Sequence, residues 1–317
     1  MTEDLKTSVD GVLAGIGNTP TVQLAHLVEP DMAEVWVKLE AGNPTGSYKD
    51  RMALAMIEGA ERSGRLRPGQ PVVEYTGGST GSSLAFVCAV TGHPLHIVTS
   101  DAFAEEKRRT MEAFGARLDI VPSPTGITPE LLPRMRARAR ELATSLDAYQ
   151  TDQFTNTDMV AGYRQLGDEL IQQVPGVIDA LCLYVGTAGC FLGVSDALRG
   201  RYPAMTRVAV EPAESAVLSG GAPGTHRIEG GGVGFRPELL DAADIDEVIA
   251  VSTPDAFAMA RRATRQEGLF SGPSTGANVV AALDVARRLG PGRRVVTVQV
   301  DSGLKYLSGT LFNAEAL

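Results

Sequence analysis

The chain has 317 residues, long for one domain and comfortable for two, and its 44% hydrophobic content is ordinary for a globular protein. A formal charge of -9 opposes binding to a nucleic-acid backbone. The cysteines Cys88, Cys182 and Cys190 give neither a disulfide framework nor a CxxC zinc site, and the histidines His26, His93, His96 and His226 show no HExxH spacing, so no metal centre is expected.

In chain order, MTEDLKTSVDGVLAGIGNTP has early acids and a short apolar stretch, unlike the basic-then-apolar order of a secretory signal. No run reaches the apolar length of a membrane span, and a soluble cytoplasmic protein is the expectation. Short apolar runs then predict strands at 35–39 (VWVKL), 71–75 (PVVEY), 95–100 (LHIVTS), 117–121 (RLDIV), 180–185 (ALCLYV), 207–211 (RVAVE), 247–252 (EVIAVS) and 294–300 (RVVTVQV). Between them, AMIEGAERSG, SSLAFVCAVTG, EEKRRTMEAFGA, ELLPRMRARARELATSL, FLGVSDALRGRY, DAFAMARRATRQEG and ANVVAALDVARRLG read as helices. This alternation predicts an α/β protein with mostly parallel, buried strands in two lobes separated by a cleft. The basic run RMRARAR (134–140) reads as a solvated helix face. Two Pro/Gly-rich segments interrupt the order, at 122–129 and 219–234, and the second is long enough to point to a role.

NPTGSYKDR (43–51) is conspicuous because the chain has only five lysines: Lys6, Lys38, Lys49, Lys107 and Lys305. Arginine carries the generic surface charge, so a lysine here points to an amine that can lose its proton near neutral pH and act as a nucleophile. Taken alone, Lys49 reads more simply as a solvated lysine at a helix start.

Three strand-to-helix turns carry polar or Gly-rich chemistry. PVVEY ends in TGGSTG (76–81) and ALCLYV in GTAGC (186–190), each followed by a helix, where backbone N–H groups and the helix dipole favour an anion. GLFSGPSTGAN (268–278) puts Ser274 and Thr275 before another helix. Each alone is equally a cap or turn. The first, with Asp101 after the next strand, imitates a dinucleotide-binding unit, but GxGxxG is absent and Lys49, the second cradle and Ser274 stay unexplained. An amine, a cradle for a dianion, another for a carboxylate and a late hydroxyl together match what pyridoxal phosphate and an amino acid require.

IGNTP (16–20), NPTGSYKDR, TGGSTG, DQF (152–154), GTAGC, VEPAESAVLSGG (210–221), GGGVGF (230–235), GPSTGA (272–277) and DSGLKYLS (301–308) stand in an order and spacing that resembles the cysteine synthase (O-acetylserine sulfhydrylase) family over nearly the whole chain. These are fold-type II pyridoxal phosphate enzymes, tryptophan synthase β-like in fold, and the chain resembles the short cysteine synthases rather than full-length cystathionine β-synthases. The resemblance implies a smaller lobe at 45–150, a larger cofactor-binding lobe from 1–44 and 151–317, and a homodimer. It implies that Lys49 forms the internal aldimine and later takes the Cα proton. Gly186, Thr187, Ala188, Gly189 and Cys190 would surround the phosphate, Ser274 would face the pyridine nitrogen, and Ser79 would stand near the ring oxygen. Thr76, Gly77, Gly78, Thr80, Gln153 and Gly232 would bind the amino acid. Asp50 and Arg51 read as an ion pair at a helix start without a catalytic role.

Two departures from the family pattern stand out. The phosphate loop reads GTAGC where the family usually has GTGGT, so the Cys190 thiol replaces a hydroxyl donor. The substrate loop reads TGGSTG against TSGNTG: Gly77 removes a hydroxyl and makes room, and Ser79 replaces a longer amide. The implied activity is β-replacement on an O-activated L-serine, most simply O-acetyl-L-serine, through an α-aminoacrylate, with sulfide as nucleophile giving L-cysteine. Another thiol or a nitrogen nucleophile, β-elimination or deamination, or a weakly catalytic binding protein acting through a partner are the alternatives. A nicotinamide oxidoreductase is the reading that does without the family.

Overall fold

The computed structural model describes residues 11–103, 105–124, 128 and 130–313; the acidic start MTEDLKTSVD, with Lys6, and part of the 122–129 segment lie outside the described residues. The chain runs β1 (Thr21–Gln23), β2 (Glu34–Leu39), α1 (Lys49–Arg62), β3 (Val72–Tyr75), α2 (Ser79–Thr91), β4 (Leu95–Thr99), α3 (Glu105–Ala113), β5 (Arg117–Ile120), α4 (Leu131–Ser145) and β6 (Tyr149–Gln150). It continues through α5 (Asp158–Gln173), β7 (Ala180–Tyr184), α6 (Gly189–Arg201), β8 (Thr206–Pro212), β9 (Glu247–Val251), α7 (Thr253–Glu267), α8 (Pro273–Leu289) and β10 (Arg294–Gln299).

Two sheets result. One has six strands in the order β1-β2-β10-β7-β8-β9, the other four in the order β5-β4-β3-β6. Every pairing is parallel except β1 with β2. β3 and β7 are buried along their whole length, as expected of strands covered by helices on both faces, and this is why their sequences are near-continuous apolar runs. α2 starts just beyond the carboxyl end of β3 and α6 just beyond that of β7, the edge where parallel α/β sheets place ligands. No helix among the described residues is long and apolar enough to cross a membrane.

α5 is absent from the periodic reading because glycines interrupt its apolar stripe. A Cβ on Gly162 would lie 2.6 Å from Ala55 Cβ, and one on Gly167 would lie 2.5 Å from Ala197 Cβ. Glycine costs helix propensity there but lets α5 pack directly on α1 and α6.

Asp50 and Arg51 do not pair with each other. Asp50 accepts from the Thr45 amide at 2.8 Å and from the Thr45 hydroxyl at 2.5 Å, which closes the turn before α1. Arg51 is buried in a network joining four parts of the chain. Its guanidinium donates to Glu40 at 2.7 and 2.8 Å and to Glu169 of α5 at 2.7 and 2.8 Å. Lys38 of β2 meets Glu169 at 2.6 Å, while the Thr19 hydroxyl donates to Glu40 at 2.6 Å and the Asn18 amide to Glu169 at 3.0 Å. The run at 134–140 is only partly the solvated face expected. Arg136 reaches Asp152 and Glu238, and Arg138 is held by Asp119 and Glu141.

Buried ion pairs lose heavily when one partner is removed, because the remaining charge stays desolvated. Arg51→Ala is therefore expected to lower unfolding stability by about 3–5 kcal/mol. Urea denaturation reads this directly, and a loss below about 1 kcal/mol, the size of an exposed pair, would contradict it.

Candidate active site

Lys49 is fixed by backbone pairing. The Tyr48 amide donates to Val300 O at 3.0 Å, the Ser302 amide donates to Gly46 O at 2.9 Å, and Ser47 bridges Asp301, so the segment before α1 lies along the extension of β10. The Lys49 side chain opens α1 at only 7% exposure, with its Nζ 4.9 Å from the centre of the Tyr48 ring. Among the described residues Nζ has no ion-pair partner in contact. Burial brings its pKa down to about 8, against the opposing pull of Cys190, Glu74 and Asp301. The solvated helix-start reading is overturned. This amine sheds its proton far more readily than a surface lysine.

GTAGC forms the turn from β7 into α6. Ala188 sits at φ 72°, in the left-handed region, immediately before the helix. The first-turn amides of Gly189, Cys190 and Phe191 have no carbonyl earlier in the helix to bond, so they remain available to an anion. Gly186 must be glycine: a Cβ would lie 2.6 Å from Gly230 O. Burial pushes the Cys190 thiol far up, with Glu40 adding to the effect and Lys49 opposing it, so the thiol is neutral and compatible with an anion beside it.

Ser274 lies inside the first turn of α8, not before it. Gly272 is the cap residue, which removes the helix-cap reading for Ser274. Its Oγ is buried without a hydrogen-bond partner, and it faces Gly230, beside Gly186. Asn278 holds this helix start in place by accepting from the Tyr184 amide at 2.6 Å and donating to Val298 O at 2.8 Å. A buried orphan hydroxyl at a cleft marks where a polar group is expected to dock.

TGGSTG forms the turn from β3 into α2, whose helix begins at Ser79. The Gly78 amide donates to Thr76 Oγ1 at 3.2 Å, and Thr80 Oγ1 donates to Gln153 Oε1 at 2.8 Å. Gly77 does not make room. A Cβ there would lie 2.3 Å from Phe103 Cε1, so the aromatic ring occupies the space a side chain at 77 would need. Ser79 Oγ is 3.5 Å from Lys305 Nζ, and Lys107 Nζ would lie 3.7 Å from a Cβ on Gly78. Lys107 also pairs with Glu229 of the 219–234 segment, joining α3 to that loop. Gly232, at φ 63°, donates its amide to Val185 O at 3.0 Å and so lies next to Gly186.

The sequence of residues 12–301 matches the family described as pyridoxal-phosphate dependent enzyme. A cysteine synthase of Staphylococcus aureus is 41% identical over 307 residues, covering 96% of this chain and 97% of that one. The chain belongs to the cysteine synthase family of pyridoxal-phosphate dependent enzymes. Among solved structures, O-acetylserine sulfhydrylase isoform 3 from Entamoeba histolytica superposes with a TM-score of 0.91 at 35% identity, covering 97% of this chain and 92% of its own. An O-ureido-L-serine synthase superposes at 0.90 with 33% identity, covering 97% and 96%.

The family's cofactor is pyridoxal phosphate, and the groups described above fit it. The aldehyde needs an amine of low pKa, the phosphate a turn of free amides, and the ring nitrogen a hydrogen-bonding partner. Lys49, the 186–191 turn and the orphaned Ser274 Oγ offer these in one cleft. Sequence reasoning missed Phe103, Lys107 and Lys305 as neighbours of the TGGSTG turn. The scarcity of lysine was a usable signal for the two lysines; Phe103 left none.

Overpacking explains what the loop tolerates. Gly77→Ser is expected to cost about 1–3 kcal/mol of stability by driving residue 77 into Phe103. Thermal unfolding of that variant and of Gly77→Ser with Phe103→Ala checks this, because the smaller side chain is expected to recover part of the loss caused by the serine.

Proposed function

We propose that the protein catalyses β-replacement on O-acetyl-L-serine, with sulfide as the nucleophile and L-cysteine as the product. The observation that carries the reading is the buried Lys49 amine, held near a pKa of about 8 in a cleft with two helix N-termini. Bound pyridoxal phosphate supplies the electron sink that stabilises the pair left when the Cα proton departs.

The chain's residues divide the remaining work. The amides of 186–190 hold the phosphate dianion, Cys190 contributing its backbone amide rather than a strong side-chain donor. Ser274 faces the pyridine nitrogen as a neutral partner, which limits charge delocalisation and favours loss of a β-leaving group. Thr76, Gln153 and the Ser79 and Thr80 amides at the start of α2 hold the substrate carboxylate, the Thr80 hydroxyl being engaged with Gln153, with Gly77, Gly78 and Gly232 lining the pocket, and Ser79 stands by the ring oxygen. Lys49 holds the cofactor, then serves as the base that removes the Cα proton. The similarity to a cysteine synthase along almost the full length supports sulfide as nucleophile.

The two lobes are proposed at 45–150 and at 1–44 with 151–317. Membership of β3 to β6 in one sheet and of β1, β2 and β7 to β10 in the other supports this division. A homodimer, implied by the family resemblance, in the cytoplasm, the compartment expected from the sequence, completes the proposal.

Adding O-acetyl-L-serine to the holoprotein is expected to shift its visible cofactor band, and sulfide to restore it with release of cysteine. An unchanged band with the cofactor in place would rule out this substrate; pyruvate release without added nucleophile would assign elimination instead. Lys49→Ala is expected to lower kcat by on the order of 10³-fold or more, since it removes the general base and the covalent anchor together. Near-normal turnover in that variant would remove Lys49 from the chemistry.

A further inference from the structure

The strand VVEY contains an acid with no exposed surface. Glu74 is completely buried in β3, between the apolar Val73 and the aromatic Tyr75. A carboxylate in such a place is costly unless several donors converge on it. Three do. The Tyr75 amide donates to Oε1 at 2.8 Å, and the Thr151 hydroxyl and the Gln153 amide donate to Oε2 at 2.6 and 3.1 Å.

These donors lie where the sheet runs out. β6 is two residues long and pairs with β3 at Val72 and Val73. The Thr151 amide still reaches Val73 O at 3.1 Å, but Asp152 then turns to φ 39° and the chain leaves the ladder. A non-glycine residue in the left-handed region is strained and must be held by its surroundings. Glu74 supplies that hold by taking the next amide, that of Gln153, in place of a strand carbonyl. Gln153 is thereby presented to α2, where its Oε1 accepts from Thr80 Oγ1 at 2.8 Å and its Nε2 donates to Tyr75 O at 3.4 Å.

We propose that Glu74 is the positioning residue of the amino-acid carboxylate site, acting on Gln153 and, through it, on Thr80. The proposal rests on the reading above, in which Thr76, Thr80 and Gln153 take the substrate carboxylate. Glu74 touches neither cofactor nor substrate in this scheme. It sets the backbone from which Gln153 reaches α2.

The proposal carries a pH dependence. Burial raises the Glu74 pKa to about 7, opposed by the bonds from Thr151 and Tyr75 and reinforced by the charge of Asp152. The other titratable groups facing it are Lys49 on α1, the Tyr75 hydroxyl on β3 and the Tyr149 hydroxyl on β6. Above about pH 7 the carboxylate is charged and accepts all three bonds. Below that, the neutral acid can donate to the Thr151 hydroxyl but accepts the Gln153 amide more weakly than a carboxylate does, the hold on Gln153 slackens, and amino-acid affinity falls as the pH is lowered.

The test compares wild-type and Glu74→Gln holoprotein. O-acetyl-L-serine binding is read from the visible band between about pH 5.5 and 8.5, spanning the shifted carboxylate, together with kcat and KM. Backbone hydrogen exchange is read at residues 151–153. Glu74→Gln is expected to weaken binding by about tenfold above pH 7, the equivalent of one ordinary hydrogen bond, while kcat stays within about threefold. The wild-type inflection near pH 7 disappears in the variant, and the Gln153 amide exchanges faster. Wild-type affinity and an unchanged inflection in the variant would overturn the proposal, as would parallel losses in kcat, affinity and global stability, which mark a general fold defect. If the wild-type protein leaves O-acetyl-L-serine unbound, the assigned substrate fails. Exchange at Gln153 then decides the tether by itself, and an unchanged rate sinks it.

Discussion

The Arg51 guanidinium holds together parts of the chain that the cleft needs in register. It is two residues after Lys49, and its two carboxylate partners come from the turn after β2 and from α5. A planar fork with donors on two edges makes two bonds to each carboxylate at once, four in all, which the three donors of an ammonium cannot do. Because all three side chains are largely out of water, a shift of α1 would leave charges unpaired in a low dielectric. The lysine's direction and depth are thereby set by an interaction on the opposite side of the helix start. The IGNTP motif joins the same network through Asn18 and Thr19. Its place in the chain is structural rather than chemical.

Given that frame, the chemistry of the cleft follows from desolvation set against free backbone amides. Burial penalises the charged form of Lys49, while the starts of α2 and α6 favour negative charge beside it. One cleft thus keeps a basic amine partly neutral and still presents two helix starts that favour negative charge. The choice of residue follows the same division. Neutral Ser274 and Cys190 sit where a second fixed charge would disturb that balance.

The inner parallel strands such as β3, β7 and β10 were legible because burial on both faces leaves near-continuous apolar runs, whereas β6, only two residues long, has no such run and was missed. Lys49 was legible for a compositional reason with a structural cause. Of the four described lysines, Lys38, Lys49 and Lys107 are buried and Lys305 is half-buried, so none of these four is an ordinary solvated surface lysine. α5 was hidden because Gly162 and Gly167 are chosen for helix-to-helix approach, which no single-helix pattern records. Long-range partnerships were equally invisible: nothing local to Gly77 announces Phe103, and nothing local to Glu74 announces the Gln153 amide 79 residues later. The resemblance located the loops; packing decided what each substitution within them does.

The strand order also constrains how the molecule can be assembled. β2 lies between β1 and β10, and its register pairs Glu34 with Arg294 and Leu39 with Gln299. During synthesis the larger sheet is therefore without the strand that joins β2 to β7 until β10 has emerged. The four-stranded sheet, by contrast, is complete within the continuous stretch from β3 to β6. Lys49 stands between these two histories, on a helix that precedes the early sheet but is anchored to Val300 at the end of the late one. The cleft is accordingly incomplete until β10 is in place, and a ribosome-bound chain lacking β10 has the TGGSTG turn without the backbone pairing that aims Lys49.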